Sequence, residues 1–144
     1  KKDNYIPKDI EASVYMQSEC TNDIPYDRDS RIMYIMDSFI EKKQKGWSLK
    51  KHLIDSGFES VGIYGMGRLG KILYNDLGNM VCAEIDRSLE EPYGKTSLRR
   101  PDDDLSDLDI IIITTVYDEQ LIQHYLLTHG RARKVITFKD LLTE

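Results

Sequence analysis

Ser60-Val61-Gly62-Ile63-Tyr64-Gly65-Met66-Gly67-Arg68-Leu69-Gly70 is the stretch whose reading decides the fold. A short apolar run, carried by Val61, Ile63 and Tyr64, ends in Gly65-Met66-Gly67-Arg68-Leu69-Gly70. A helical pattern follows at once, with Leu69, Ile72, Leu73 and Leu77 on one face and Gly78 as the stop. A strand that turns on glycines into a helix, with G-x-G-x-x-G spacing, is the arrangement that binds dinucleotides.

Each glycine has a mechanical role in that reading. Gly65 allows the tight turn, Gly67 lets a pyrophosphate approach the backbone, and Gly70 lets helix and strand pack closely. The N–H groups that open the helix, at Met66 to Leu69, then form an anion site favoured by the helix dipole. Arg68 at the helix start is placed to pair with a pyrophosphate, or else to serve as a surface arginine. A second apolar run, Met80-Val81-Cys82-Ala83-Glu84-Ile85, ends in Asp86, which lies 21 positions after Gly65. The same pattern places a ribose-binding carboxylate about 20 residues on. Asp86 accepts from a ribose diol and repels a 2′-phosphate, so it favours NAD. The adjacent Arg87 is the residue that would admit NADP. The bland alternative is a glycine turn that holds no ligand.

Working outward, the chain alternates strand and helix from Val61 to its end. Residues 87–108 are irregular, broken by Pro92, Gly94 and Pro101, with one short strand near Lys95 to Leu98. Ile110-Ile111-Ile112-Ile113 is a continuous β-branched run of the kind found in parallel sheets covered on both faces. Asp118 caps a helix carrying Leu121, Ile122, Tyr125 and Leu126 and ending at Gly130. Val135 and Ile136 make a last strand, and Lys139 to Leu142 a final helical turn. The expected architecture is an α/β, doubly wound parallel sheet of about five strands in the order 3-2-1-4-5. Its crevice then brings Gly65 to Gly70 beside Thr114, Thr115 and Tyr117.

Before the fold proper, Ile32, Ile35, Met36, Phe39 and Ile40 recur at helical spacing from Ser30, and a second short helix follows Ser48. The expected division is therefore an arm or linker over 1–29, a helical extension over 30–57, and the nucleotide-binding unit over 58–144. Pro7 opens a short helix within the arm, with Ile10 and Val14 on one face. The apolar stripe of the Ser30 to Lys45 helix, with Met33 beside it, is broader than one sheet face needs. That excess predicts a homodimer or docking surface. The competing reading buries the stripe internally.

The bulk composition limits the function classes. At 144 residues, 40% hydrophobic and 31% charged, the chain suits one folded domain. Its net charge of −5 argues against nucleic acid as the main partner. No apolar run reaches the roughly 18 residues of a membrane span, and no signal-peptide pattern opens the chain, so a cytoplasmic location is expected. It begins without Met, as a processed chain or a fragment of something longer does. Cys20 and Cys82 make no disulfide framework, and Cys82, inside the second strand, is expected to be a small buried hydrophobe.

A catalytic set is missing. No Tyr-x-x-x-Lys pair of the short-chain dehydrogenase kind occurs, and no substrate domain follows the nucleotide unit. His52 reads as a helix-surface residue. His124 and His129 lie five apart on one helix and so diverge, and Asp102-Asp103-Asp104 reads as a solvated acidic loop, so no metal site is expected.

Four segments carry a family resemblance: Ile63 to Leu77, Ala83 to Arg87, Asp107 to Val116 and Lys134 to Leu142. Together with the helix leading in from Trp47, they resemble small bacterial Rossmann-like domains that accompany enzymes of surface-polysaccharide and sugar-nucleotide metabolism. Some of those domains are fused to glycosyltransferases or nucleotide-sugar dehydratases. The resemblance implies a dinucleotide-type or nucleotide-sugar pocket and an accessory role, with a glycosyltransferase-type enzyme as partner. It implies no single reaction. The alternatives are a small NAD-dependent oxidoreductase whose site is completed by another subunit, and a structural module without ligand.

Overall fold

The computed structural model describes residues 27–144; the arm's expected short helix and Cys20 lie outside the described residues. Two helices, α1 (Arg28–Gln44) and α2 (Leu49–Asp55), precede β1 (Val61–Tyr64) and α3 (Arg68–Leu77). A 3₁₀ turn (Gly78–Met80) leads into β2 (Val81–Ile85), and β3 (Ser97–Arg99) and β4 (Ile110–Ile113) follow. The chain closes with α4 (Glu119–Thr128), β5 (Val135–Thr137) and α5 (Phe138–Leu141). All five strands pair in parallel, in the order β3-β2-β1-β4-β5. This is the doubly wound α/β sheet that the glycine turn and the isoleucine run predict. Among the described residues no helix is long and apolar enough to cross a membrane.

The central strands explain why the sheet is covered twice. Every residue of β1 and of β4 is buried. Val61, Ile63, Ile110 and Ile112 point into one core with α1, α2, α3 and α5, while Tyr64, Ile111 and Ile113 meet Leu126 of α4 in the other. The start of β1 is tied to β4 by Asp109, whose carboxylate accepts the N–H of Glu59 (2.7 Å) and of Ser60 (3.1 Å). Those backbone bonds hold its pKa below the usual carboxylate range.

Several expectations are corrected by the packing. Helix α1 starts at Arg28 rather than Ser30, because the Asp27 carboxylate accepts the Ser30 N–H at 2.9 Å and so caps it two residues earlier. Its stripe is largely internal: Ile32, Ile35 and Phe39 join the α2 and α3 side chains in the first core, leaving Met33 and Ile40 exposed. The helical extension and the sheet thus share one core, and most of the stripe on which self-association was expected is buried in it. Asp118 stands at the N-cap position of α4 but makes no capping bond, since its φ of +62° puts it in the left-handed region. Cys82 is exposed, not buried. Val61 pairs with Val81 and Gly62 with Ala83, so Cys82 is the extra residue of a bulge and is pushed out of the alternation.

The connection from β2 to β3 contains no helix. Glu84 does part of a helix's work there. It is fully buried, and its carboxylate accepts the N–H of Tyr93 (2.6 Å), the N–H of Gly94 (2.9 Å) and the hydroxyl of Thr96 (2.7 Å). A buried carboxylate survives where several donors meet it. The loop is thereby pinned over the edge of the sheet, and Ser97 enters β3 two residues later than the turn signals suggest.

Candidate functional site

The order of the strands reverses between β1 and β4, and open α/β sheets bind ligands in the crevice beyond their strand ends at that point. The glycine turn forms one wall of it. Gly65 has a φ of +91° and donates its N–H to the Ile85 carbonyl at 2.9 Å, which fixes the turn against β2. Gly70 is a close-approach position: a Cβ there would lie 2.0 Å from the Gly65 carbonyl oxygen. Gly67 differs from both. A Cβ on it would meet nothing within 4 Å, its φ is −78°, and as N-cap of α3 it offers no side chain to the first N–H groups of the helix. Protein packing accounts for two of the three glycines and leaves the third open to the crevice.

Asp86 sits where the spacing puts it, beside the turn. One carboxylate oxygen accepts the Met66 N–H at 3.2 Å; the other accepts the N–H of Ser88 (2.9 Å) and of Leu89 (3.1 Å). It therefore braces the glycine turn and its own strand end at the same time. Its carbonyl oxygen accepts from Arg100 Nη1 at 2.8 Å.

The two threonines after β4 have different surroundings. Thr114 is buried, and its hydroxyl lies 2.9 Å from the Tyr64 carbonyl and 2.6 Å from that of Gly65. It clamps the glycine turn to β4, so its hydroxyl works on the protein's own backbone. Thr115 lines the crevice, and its Oγ1 is buried with no hydrogen-bond partner among the described residues. Such an atom carries a desolvation cost until something bonds to it.

Together these walls enclose a cleft of about 360 Å³. It collects Gly65, Met66, Gly67, Arg68, Leu69, Asp86, Arg87 and Thr115 from the residues singled out in the sequence; Thr114 also borders it, and Gly70 lies behind the turn. Tyr117 is there as expected. Arg28 and Ile32 of α1 line it too, which the sequence did not suggest, because nothing local says that a helix 30 positions upstream folds over the crevice. Arg31, 5% exposed, is the reason that helix stays: its Nη1 donates to the Val116 carbonyl at 2.9 Å, and its guanidinium sits 5.1 Å from the centre of the Tyr117 ring. A buried arginine in an otherwise apolar stripe was the available signal.

A second cavity, of about 610 Å³, adjoins the first, and Tyr64, Arg87 and Ile122 border both. The acidic loop lies at its rim and is ordered by its own turns: the Asp103 carboxylate accepts the Arg100 N–H at 2.7 Å, and that of Asp104 accepts the N–H and hydroxyl of Ser106. His129 stacks on Tyr125 with ring centres 4.3 Å apart. Among the described residues no cluster of three or more His, Cys, Asp and Glu is placed to hold a metal.

No protein-family model matches this chain, and no curated protein or solved structure matches it at a significant level.

Proposed function

We propose that the chain is a nucleotide-binding domain that holds a dinucleotide of the NAD type, or a nucleotide sugar, with its phosphates over Gly67. The observation that carries this reading is the contrast among the three glycines. Gly65 and Gly70 are explained by the turn and by close packing, whereas Gly67 borders open space at an uncapped helix start. A helix N-terminus with free N–H groups and no side chain in the way suits a phosphate. The orphaned Thr115 hydroxyl in the same cleft supports a polar ligand, and Asp86, with one oxygen bonded only to Met66, keeps a lone pair for a ribose hydroxyl.

The resemblance to domains of surface-polysaccharide metabolism adds a setting: an accessory module serving a sugar-nucleotide or glycosyltransferase-type enzyme. Gly67, Thr115 and Asp86 are placed to bind and orient a ligand, and a binding role accounts for that set. The first experiment is calorimetric titration with NAD(H), NADP(H) and UDP-sugars. At least one of these is expected to bind with a 1:1 stoichiometry; heat from none of them would remove the reading. Asp86→Ala is expected to weaken a dinucleotide more than it weakens inorganic pyrophosphate. An equal loss for both would take Asp86 out of the ribose role.

A further inference from the structure

Asp86 was expected to exclude a 2′-phosphate, and its surroundings argue the other way. Its outer carboxylate oxygen is turned into its own loop by the Ser88 and Leu89 N–H groups, so much of its charge is already answered by backbone donors. Immediately beyond lies the larger cavity, whose floor is Leu121, Ile122 and Leu126 and whose rim carries Arg87, Arg100 and His124. Arg100 is held in place by one bond to the Asp86 carbonyl. A guanidinium has five N–H donors, and among the described residues Arg100 has no ion pair. Among the described residues, the one carboxylate on the same rim is Asp102, which is exposed. Two positive charges beside an apolar slot match a flat base that carries a doubly charged phosphate ester. The cavity's size falls within the roughly 300–1,000 Å³ of small-molecule sites.

Resting on the nucleotide reading above, we infer that this cavity receives the adenosine end of the ligand with a phosphate monoester between Arg87 and Arg100, so that the protein takes NADP in preference to NAD. The same guanidinium pair sets the preference by bonding oxygens that NAD lacks. Asp86 then bonds the remaining ribose hydroxyl through the oxygen that also holds Met66.

The test is calorimetric titration of the full chain with NADP⁺ and with NAD⁺. NADP⁺ is expected to bind at least tenfold more tightly. Arg87→Ala, at an exposed position, is expected to remove most of that difference, and Arg100→Met the rest, with NADP⁺ losing far more affinity than NAD⁺ in each variant. Competition by 2′,5′-ADP and 3′,5′-ADP separates a dinucleotide's 2′-phosphate from the 3′-phosphate of a coenzyme A-type nucleotide. The 2′ isomer is expected to compete better, and the reverse would overturn the NADP assignment. NAD⁺ binding as tightly as NADP⁺, or both variants weakening the two ligands alike, would overturn the inference while leaving the nucleotide reading in place. Heat from neither dinucleotide would overturn the inference, and silence from the UDP-sugars as well would overturn the nucleotide reading with it.

Discussion

The two strand-to-helix turns that flank the crevice are built by opposite means. The turn from β1 to α3 is made of backbone: Gly65 takes a φ of +91°, Gly70 lets the Gly65 carbonyl lie against the helix, and Gly67 leaves its outer side open. The turn from β4 to α4 is made of side chains: Thr114 clamps two carbonyls of the first turn, Asp118 adopts a left-handed backbone, and Arg31 reaches in from α1 to hold the Val116 carbonyl. A turn made of glycine can leave room for a ligand but cannot hold itself still. It is held here by Asp86 on one side and Thr114 on the other. The second turn supplies the Thr114 half of that support, and it is itself held from a distance.

This contrast can be broken first at Gly70. Replacing it by alanine puts a Cβ 2.0 Å from the Gly65 oxygen, a clash with backbone that no rotamer relieves. The expected loss is about 4 kcal/mol or more, at the far end of single-substitution effects. Urea unfolding would show it, and a midpoint within a few tenths of molar of the parent would mean that helix and strand are not packed this closely.

Arg31→Met attacks the other turn. It keeps an apolar stem of similar length at a buried position but leaves the Val116 carbonyl without that donor. About 1–3 kcal/mol of stability is expected to go, and ligand affinity is expected to fall with it, because the crevice wall from Thr115 to Tyr117 loses its tie. A stability loss with affinity intact would show that α1 merely covers the core.

These two turns also show what the sequence could and could not disclose. The first was legible because its demands are local: tight backbone, close packing and an open helix start all require glycine at fixed spacing. The four isoleucines from Ile110 declared a doubly covered strand for the same reason. The second turn depends on a contact across 85 positions, from Arg31 to Val116, and no local pattern encodes that distance. Glu84 was legible only in part. A charge amid Val81, Ala83 and Ile85 signals a buried partner, but its partners come from a loop with no periodicity of its own. Cys82 was misread because a bulge shifts the alternation by one residue, and nothing in the run Met80 to Ile85 marks where the shift falls.

A smaller effect is expected from acid. Asp109 is held below its ordinary pKa by the Glu59 and Ser60 N–H groups, Asp107 by its hydrogen bonds with Arg99, and Asp104 by those with Ser106. A depressed folded pKa means that the unfolded chain takes up the proton first. Stability from these groups is therefore present above the ordinary carboxylate pKa of about 4 and is lost as pH falls through the lower folded values. Thermal midpoints should be flat near neutrality and drop below about pH 4, and Asp109→Asn should make that drop shallower. An acid limb unchanged in Asp109→Asn would show that the tie between β1 and β4 is not electrostatic.

The smallest effect on stability is expected at Gly67, three positions from the largest. A Cβ at Gly67 meets nothing within 4 Å among the described residues, and Gly67→Val should cost about 1 kcal/mol or less, as a poor N-cap. Its effect on binding should be complete, because the branched side chain stands where the phosphates approach. The decisive measurement is a calorimetric titration of this variant and the parent chain with the dinucleotide that the parent binds. The account predicts saturable heat from the parent and none from Gly67→Val, with thermal midpoints that nearly coincide; equal affinity in the two proteins would contradict it.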